Sequence, residues 1–410
     1  MNITGIITEY NPFHNGHKLH LEETKRATGA EGIICVMSGN FVQRGLPAIL
    51  DKWTRAKMAV LNGVDLVVEL PTVFAVSSAE FFAKGAVDIL TQTSVVNSLC
   101  FGSEAGDTQL IRRIAEILCD EPSIFKEILK KHLSSGNSFV KARSLSLIEY
   151  FIHYTNVKCS TEELEELLSS SNNILAIEYC KSIIKSKSSI EPLTIKRIGS
   201  SYNDKDLSSN LASATAIREL LYSDLYSNEL YQYMPEPSAN IIMDSFTSTN
   251  KFPSSNDFLS YIKYKLLASP NSFSKLPDSG EGLDNKFLKE INTVSSIDEL
   301  IMKVKSKRYT YTRLSRLLCQ YFLGFEHYDT SSLRLTRPKY LRVLALNTTG
   351  AKIIKEIKKA SDINIISKVP KKIEDPMLQI DINSSNIYSL INPSVKFNSD
   401  YLTSPFVENL

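Results

Sequence analysis

Short apolar runs recur through the first two hundred residues. Residues 3–8 (ITGIIT), 32–38 (GIICVMS), 64–70 (VDLVVEL), 98–102 (SLCFG) and 193–198 (LTIKRI) are too short for helices and read as buried strands. Between them apolar positions recur with helical spacing, over 17–28, 53–63, 77–90 and 108–119. Strand and helix in alternation predict a parallel α/β sheet wound by right-handed crossovers, with ligands bound beyond the carboxyl ends of its strands. From residue 212 the pattern turns helical through SATAIRELLYSDLYSNELYQYMP, and Pro235 and Pro237 interrupt it. Polar stretches at 247–257 and 269–282 read as loops or linkers. A second, mostly helical domain is expected over 236–410 after a first over 1–235. It should contain a helix near 310–323, a short strand near 342–346 and a helix over 350–359. No internal repeat is evident.

Length agrees with two domains. No run of about 18 apolar residues exists to span a membrane, and MNITGII turns polar too soon to resemble a signal peptide. The six cysteines are scattered without a CxxC pair, which suggests buried free thiols in a reducing cytoplasm. A net charge of +2 hides an asymmetry, because residues 301–372 hold 17 lysines and arginines against 4 acidic residues. Such a segment suggests a polyanionic partner.

Two stretches could carry chemistry. The first is EYNPFHNGHKLHL, residues 9–21, beyond the end of the first strand. His14 and His17 flank Gly16 at a helix start, the HxGH pattern of nucleotidyltransferases. Gly16 lets backbone approach a phosphate, the helix start offers free N–H groups, and two imidazoles could stabilise charge on an α-phosphate. Two histidines at a helix start could equally be incidental, and zinc is a rival ligand, although no third ligand or HExxH spacing accompanies them. The second stretch is SATAIR, residues 213–218. It is either an ordinary helix cap or, read as S-x-T-x-I-R, the second motif, which holds β- and γ-phosphates in the same nucleotidyltransferases. The two motifs in this order point to an ATP site on a Rossmann-like α/β domain of the HUP type.

EYNPFHNGH, MSGNFVQRG (37–45), ELP (69–71), FGSE (101–104), NNILAIEY (172–179), KRIGSSYND (196–204), SATAIR and KRYTYTRLSRLL (307–318) occur in order. Together they resemble the bacterial tRNA(Met) cytidine acetate ligase family over nearly the whole chain. The resemblance implies ATP-driven activation of acetate as acetyl-adenylate. The acetyl group would then pass to the exocyclic amine of the wobble cytidine of elongator tRNA(Met), giving N(4)-acetylcytidine. ATP would arrive with Mg2+ held by its own phosphates, and neither a membrane nor a stable protein partner is implied. The resemblance assigns ATP contacts to Ile7, Thr8, Glu9, Tyr10, Asn11, Pro12, Phe13, His14, Asn15, Gly16, His17, Lys18, Leu19 and His20. Gly102, Asn173, Lys196, Arg197, Ser213, Thr215 and Arg218 complete that set, with His14 and His17 catalytic and no protein metal site. Ser38, Asn40, Gln43 and Arg44 could orient the small carboxylate, or Arg44 could touch tRNA. Lys307, Arg308, Arg313 and Arg316 would meet the tRNA backbone, with Tyr309, Arg313 and Arg316 on one helix face and further charge at Arg334, Arg337, Lys339, Arg342 and Lys352–Lys359. The chain departs from the family at SNNILA (171–176) and at Asn203, where a histidine is usual. Two rival readings are an enzyme adenylating a small phosphorylated metabolite, and a non-catalytic RNA-binding protein with a decayed nucleotide site.

Overall fold

The apolar runs become strands close to where the pattern predicts them. A computed structural model describes residues 1–155, 159–197, 211–223, 229–249, 251–280 and 282–408. Its strands are β1 (Ile3–Thr8), β2 (Gly32–Ser38), β3 (Phe41–Val42), β4 (Leu46–Pro47), β5 (Leu66–Leu70), β6 (Ser98–Ser103), β7 (Glu191–Lys196), β8 (Tyr340–Leu346), β9 (Asn364–Ile366) and β10 (Phe406–Val407). The main sheet runs β10-β8-β5-β2-β1-β6-β7, with β9 beside β8, and β3 and β4 form a separate hairpin. From β5 to β7 all neighbours are parallel.

Every residue of β2 and β5 is buried, so both sheet faces must be covered. Helices Ala79–Gln92, Thr108–Asp120 and Ser171–Ser186 pack one face through Val87, Ile111 and Ile177. Helices Asn15–Thr28, Lys52–Leu61 and Ala214–Tyr222 pack the other through Leu21, Val60 and Ile217. This is the predicted Rossmann-like layering. Among the described residues no helix is long and apolar enough to cross a membrane.

The second half departs from expectation. Residues 255–325 form a helical region with its own core, which Phe41 and Val76 also enter. The chain then returns to the first sheet: β8 pairs antiparallel with β5, and β10 lies on β8. The sequence reading placed 340–346 and 406–407 in a separate domain. An apolar strand such as YLRVLAL needs cover on both faces, and the free edge of β5 between two helical layers supplies it. Pro237, expected to break helical structure, instead lies in the first turn of helix Glu236–Thr249, where proline is tolerated.

A buried ion network fastens this return. Lys52 Nζ lies 2.8 Å from Glu69 Oε2 and 2.8 Å from Asp400 Oδ1, and Arg342 Nη2 lies 3.7 Å from the same Asp400 oxygen. Arg342 and Arg334 therefore do not belong to an exposed basic face; Arg334 is buried and pairs with Asp278 at 3.3 Å. Charges inside a core need partners, and these partners come from distant segments. Lys352, Lys355, Lys358 and Lys359 are exposed on helix Thr348–Ala360.

Candidate active site

Beyond the carboxyl end of β1 the chain turns through Tyr10, at φ +45°, and a cis Asn11–Pro12 bond. Arg55 holds this turn to its neighbour. Fully buried, it donates to the carbonyls of Glu9, Ser38 and Gly39 at the ends of β1 and β2, and to that of Leu50. Sequence reasoning missed Arg55, because a lone arginine in KWTRAKMAV looks like a solvated helix position. Asn11 Oδ1 accepts the Ile49 N–H at 2.9 Å, and Glu9 Oε1 accepts the Gln43 N–H at 2.8 Å. The turn and the loop after β2 thus form one rigid wall.

Helix Asn15–Thr28 opens with a capping box made of imidazoles. His14 Nδ1 accepts the Gly16 N–H at 3.1 Å, and His17 Nδ1 accepts the His14 N–H at 3.3 Å. A Cβ on Gly16 would lie 2.9 Å from His14 Cε1, so glycine lets the ring fold over the helix start. The two rings stand 3.8 Å apart between centroids. Burial, with Arg197 and Arg218, pushes His14 down to about 3. Burial and the neighbouring His14, Arg197 and His20 push His17 well below its ordinary value, and burial with Arg197 takes His20 to about 4. All three imidazoles are neutral at pH 7. Because Nδ1 of His14 and of His17 accepts a backbone proton, each carries its own proton on Nε2.

These rings line a cavity of about 920 Å³. Of residues 7–20, the cavity wall includes Ile7, Thr8, Glu9, Tyr10, Asn11, His14, Gly16, His17, Leu19 and His20. Phe13 is instead buried against Tyr10, Asn15 donates from Nδ2 to the Gln232 carbonyl at 2.8 Å, Lys18 is exposed, and Pro12 forms the cis turn. Gly102, Lys196 and Arg197 join the wall from the ends of β6 and β7; a Cβ on Gly102 would press on Arg197 Cγ at 3.2 Å. Residues 198–204, which include Asn203, lie outside the described residues.

SATAIR serves both as a cap and as part of the wall. Ser213 caps helix Ala214–Tyr222 by accepting the Ala216 N–H at 3.1 Å, and both Ser213 and Arg218 line the cavity. Thr215 does not line it. Its Oγ1 accepts from Arg218 Nη2 at 3.1 Å, while Arg218 Nη1 donates to the Asn11 carbonyl at 2.7 Å. The two motifs are therefore joined directly. Asn173 is buried away from the cavity, and its Oδ1 accepts the Ala105 N–H at 3.1 Å; Asn172 and Tyr179 of the same helix line the wall instead. Helical phase explains the exchange, since neighbouring positions face different sides.

The loop after β2 divides similarly. Gln43 and Arg44 line the cavity. Ser38 is fully buried, and Asn40 braces the loop, donating to Ser385 Oγ at 3.2 Å and accepting the Lys52 N–H at 2.7 Å. Neither belongs to the cavity wall, so the carboxylate role expected of them has no support in the geometry. Helix Tyr311–Phe322 adds Thr312 and Arg316 to the wall. Arg316, expected on an outer RNA-facing surface, is half-buried in the cleft. The helix starts after Tyr309, which is buried and donates to the Gly280 carbonyl at 2.9 Å. Arg313 stacks over the Tyr309 ring at 4.9 Å and donates to the Asp278 carbonyl, and Lys307 and Arg308 are exposed.

The sequence matches the family model described as HIGH Nucleotidyl Transferase over residues 1–401. It is 54% identical over 409 residues to the tRNA(Met) cytidine acetate ligase of Clostridium perfringens strain SM101, covering 99% of this chain and 100% of that protein. It is 46% identical over 407 residues to the ligase of the same name from Clostridium botulinum strain Okra, covering 99% and 98%. Two crystal structures of Thermotoga maritima TmcAL match over 100% of both chains at 32% identity. Their TM-scores are 0.91 for the apo form and 0.89 for the form bound with alpha-thio ATP.

Proposed function

Because the chain belongs to the tRNA(Met) cytidine acetate ligases, within the HIGH nucleotidyltransferase family, we propose that it uses ATP to join acetate to the exocyclic amine of a tRNA(Met) cytidine. One observation carries the mechanism: two neutral imidazoles, locked by a reciprocal backbone cap, present Nε2–H donors to a cavity at a helix N-terminus. In the first step a carboxylate oxygen of acetate attacks the α-phosphorus of ATP. Pyrophosphate leaves and acetyl-adenylate forms. His14 and His17 donate from Nε2–H to the α-phosphate oxygens as charge builds there. Arg218, Lys196 and Arg197 hold the departing phosphates. In the second step the cytidine N4 attacks the acetyl carbon, AMP leaves, and the amine releases a proton.

Among the described residues no group of three or more His, Cys, Asp or Glu is arranged to hold a metal. The phosphate-side wall is cationic and imidazole-lined, so Mg2+ would enter on the triphosphate and be held by phosphate oxygens and water. Exposed Lys307 and Arg308, with Arg313 beside them, are assigned to the tRNA backbone, and residues around 255–325 to the RNA-facing half. The test uses the full chain with ATP and labelled pyrophosphate. Exchange that requires acetate, followed by acetyl transfer to total tRNA, supports the reading. Exchange indifferent to acetate would remove it. Lys307→Glu with Arg308→Glu should lower acetylation while leaving acetate-dependent exchange near its original rate.

A further inference from the structure

We propose that Arg44 and Arg316, with Thr312 beside them, form a second anion subsite in the cleft, separate from the one that holds the ATP phosphates, and that it takes the anionic group of the second substrate. The inference rests on reading the cleft as the ATP site. Contact between distant segments builds the subsite. Gly45, at φ +77°, sits where a Cβ would lie 2.6 Å from both N and Cα of Arg316, and Ser315 Oγ donates to the Gly45 carbonyl at 3.3 Å. The tip of the β3–β4 hairpin is thereby pressed onto helix Tyr311–Phe322. Arg44 and Arg316 face the same cavity as a result.

The charge around Arg316 is unbalanced. Its charged neighbours are Arg334, Arg313, Arg44 and Asp278, and burial with the three cations pushes its guanidinium down to about 10. Asp278 is already paired with Arg334. Among the described residues Arg316 makes no ion pair. A half-buried guanidinium crowded by like charge is unfavourable until an anion joins it. Guanidinium pairs also match carboxylate and phosphate oxygens in geometry.

Arg44 and Arg316 reach the cleft from other elements than the phosphate-side cations: from the β3–β4 hairpin and helix Tyr311–Phe322, against the end of β7 and helix Ala214–Tyr222 for Lys196, Arg197 and Arg218. The cations that depress the imidazoles are Arg197 and Arg218; Arg44 and Arg316 are not among them. The Glu9 carboxyl is acted on by Arg218, Arg44 and Arg55, and it accepts the Gln43 N–H at 2.8 Å, so it links the two groups of cations. Two anions fit this chemistry: the acetate carboxylate, or a backbone phosphate of the RNA acceptor.

Three constants in the full-length protein test the proposal: the Kd of a non-hydrolysable ATP analogue by calorimetry, the KM of acetate in pyrophosphate exchange without RNA, and the KM of tRNA in acetyl transfer. Arg316→Gln should leave the analogue Kd within about 2-fold and raise one KM by roughly 10-fold or more, the size of a lost charge-assisted contact. Arg316→Lys should recover much of the loss. A raised acetate KM assigns the carboxylate; a raised tRNA KM alone assigns an RNA phosphate. If Arg316→Gln does not fold, Arg44→Gln gives the same readout from the hairpin. An analogue Kd that rises as far as either KM places Arg316 on the triphosphate and overturns the proposal, as do two unmoved KM values. If the unaltered protein binds no analogue, the ATP reading itself fails first.

Discussion

On the phosphate side of the cleft, ten of residues 7–20 line the wall, and backbone hydrogen bonds fix its imidazoles in place. Adjoining it, Gln43 and Arg44 share the wall with Thr312 and Arg316 where a hairpin and a helix far apart in sequence touch at Gly45. In the first part of the wall, neutral imidazole donors stand beside Lys196, Arg197 and Arg218; in the second, the charged groups are Arg44 and Arg316. Groups for the chemical step are thus fixed by local structure, whereas groups assigned to the second substrate depend on tertiary packing. The local wall should withstand disturbance of the helical region, and the composite wall should not.

The most damaging substitutions should be His14→Ala and His17→Ala, each slowing acetate-dependent pyrophosphate exchange by roughly 100-fold or more, as loss of a transition-state donor does. Binding of tRNA should survive, because neither ring belongs to the composite wall. Exchange near the unaltered rate in both variants would break the comparison at its first term.

A smaller effect is expected at the joint. Gly45→Ala places a methyl against the Arg316 backbone at a positive φ, which costs on the order of 1–3 kcal/mol. Urea unfolding should report that loss. The variant should raise the KM of the second substrate while the Kd of an ATP analogue stays nearly fixed. Equal effects on both constants would mean that the two walls are one unit.

The mildest expectation concerns pH. Folding holds His14 near 3 and His20 near 4, against an ordinary 6.5. Below 6.5 the unfolded chain takes up protons that the folded chain refuses. Stability is therefore complete above about pH 6.5 and declines as pH falls towards 4. Exchange rates should show no inflection near 6.5. Urea midpoints at pH 7, 5.5 and 4.5 should fall more steeply in the unaltered protein than in His20→Gln, and parallel slopes would exclude His20 from the account.

Much of this was legible in the sequence. Apolar periodicity located β1, β2, β6 and the helices between them, and HNGH with SATAIR located the cleft. The tie between the motifs, Arg218 to the Asn11 carbonyl, could not be read, because it spans 207 positions. Arg334 and Arg342 were counted as surface charge because their partners, Asp278 and Asp400, lie at remote positions. RVLAL, residues 342–346, was visible as a short strand, but nothing local specified that it would start at Tyr340 or run antiparallel beside β5. Ser38 and Asn40 looked functional from their place after a strand end, and burial turned both inward. The rival reading of a small-metabolite enzyme is not supported, since the full-length relatives carry the tRNA ligase name.

The β5–β8 pairing also bears on how the polypeptide is made. Leu66 finds its partner at Leu346, 280 positions later. At roughly 5–20 residues per second, a ribosome needs about 14 to 56 seconds to cover that distance. For that interval the LVVEL strand has a neighbour on one side only. Its open N–H and C=O groups, on a strand without a single exposed residue in the finished protein, are a ready template for pairing with another nascent chain. The order of synthesis therefore makes the span between residues 70 and 340 the period in which newborn copies are most prone to aggregate.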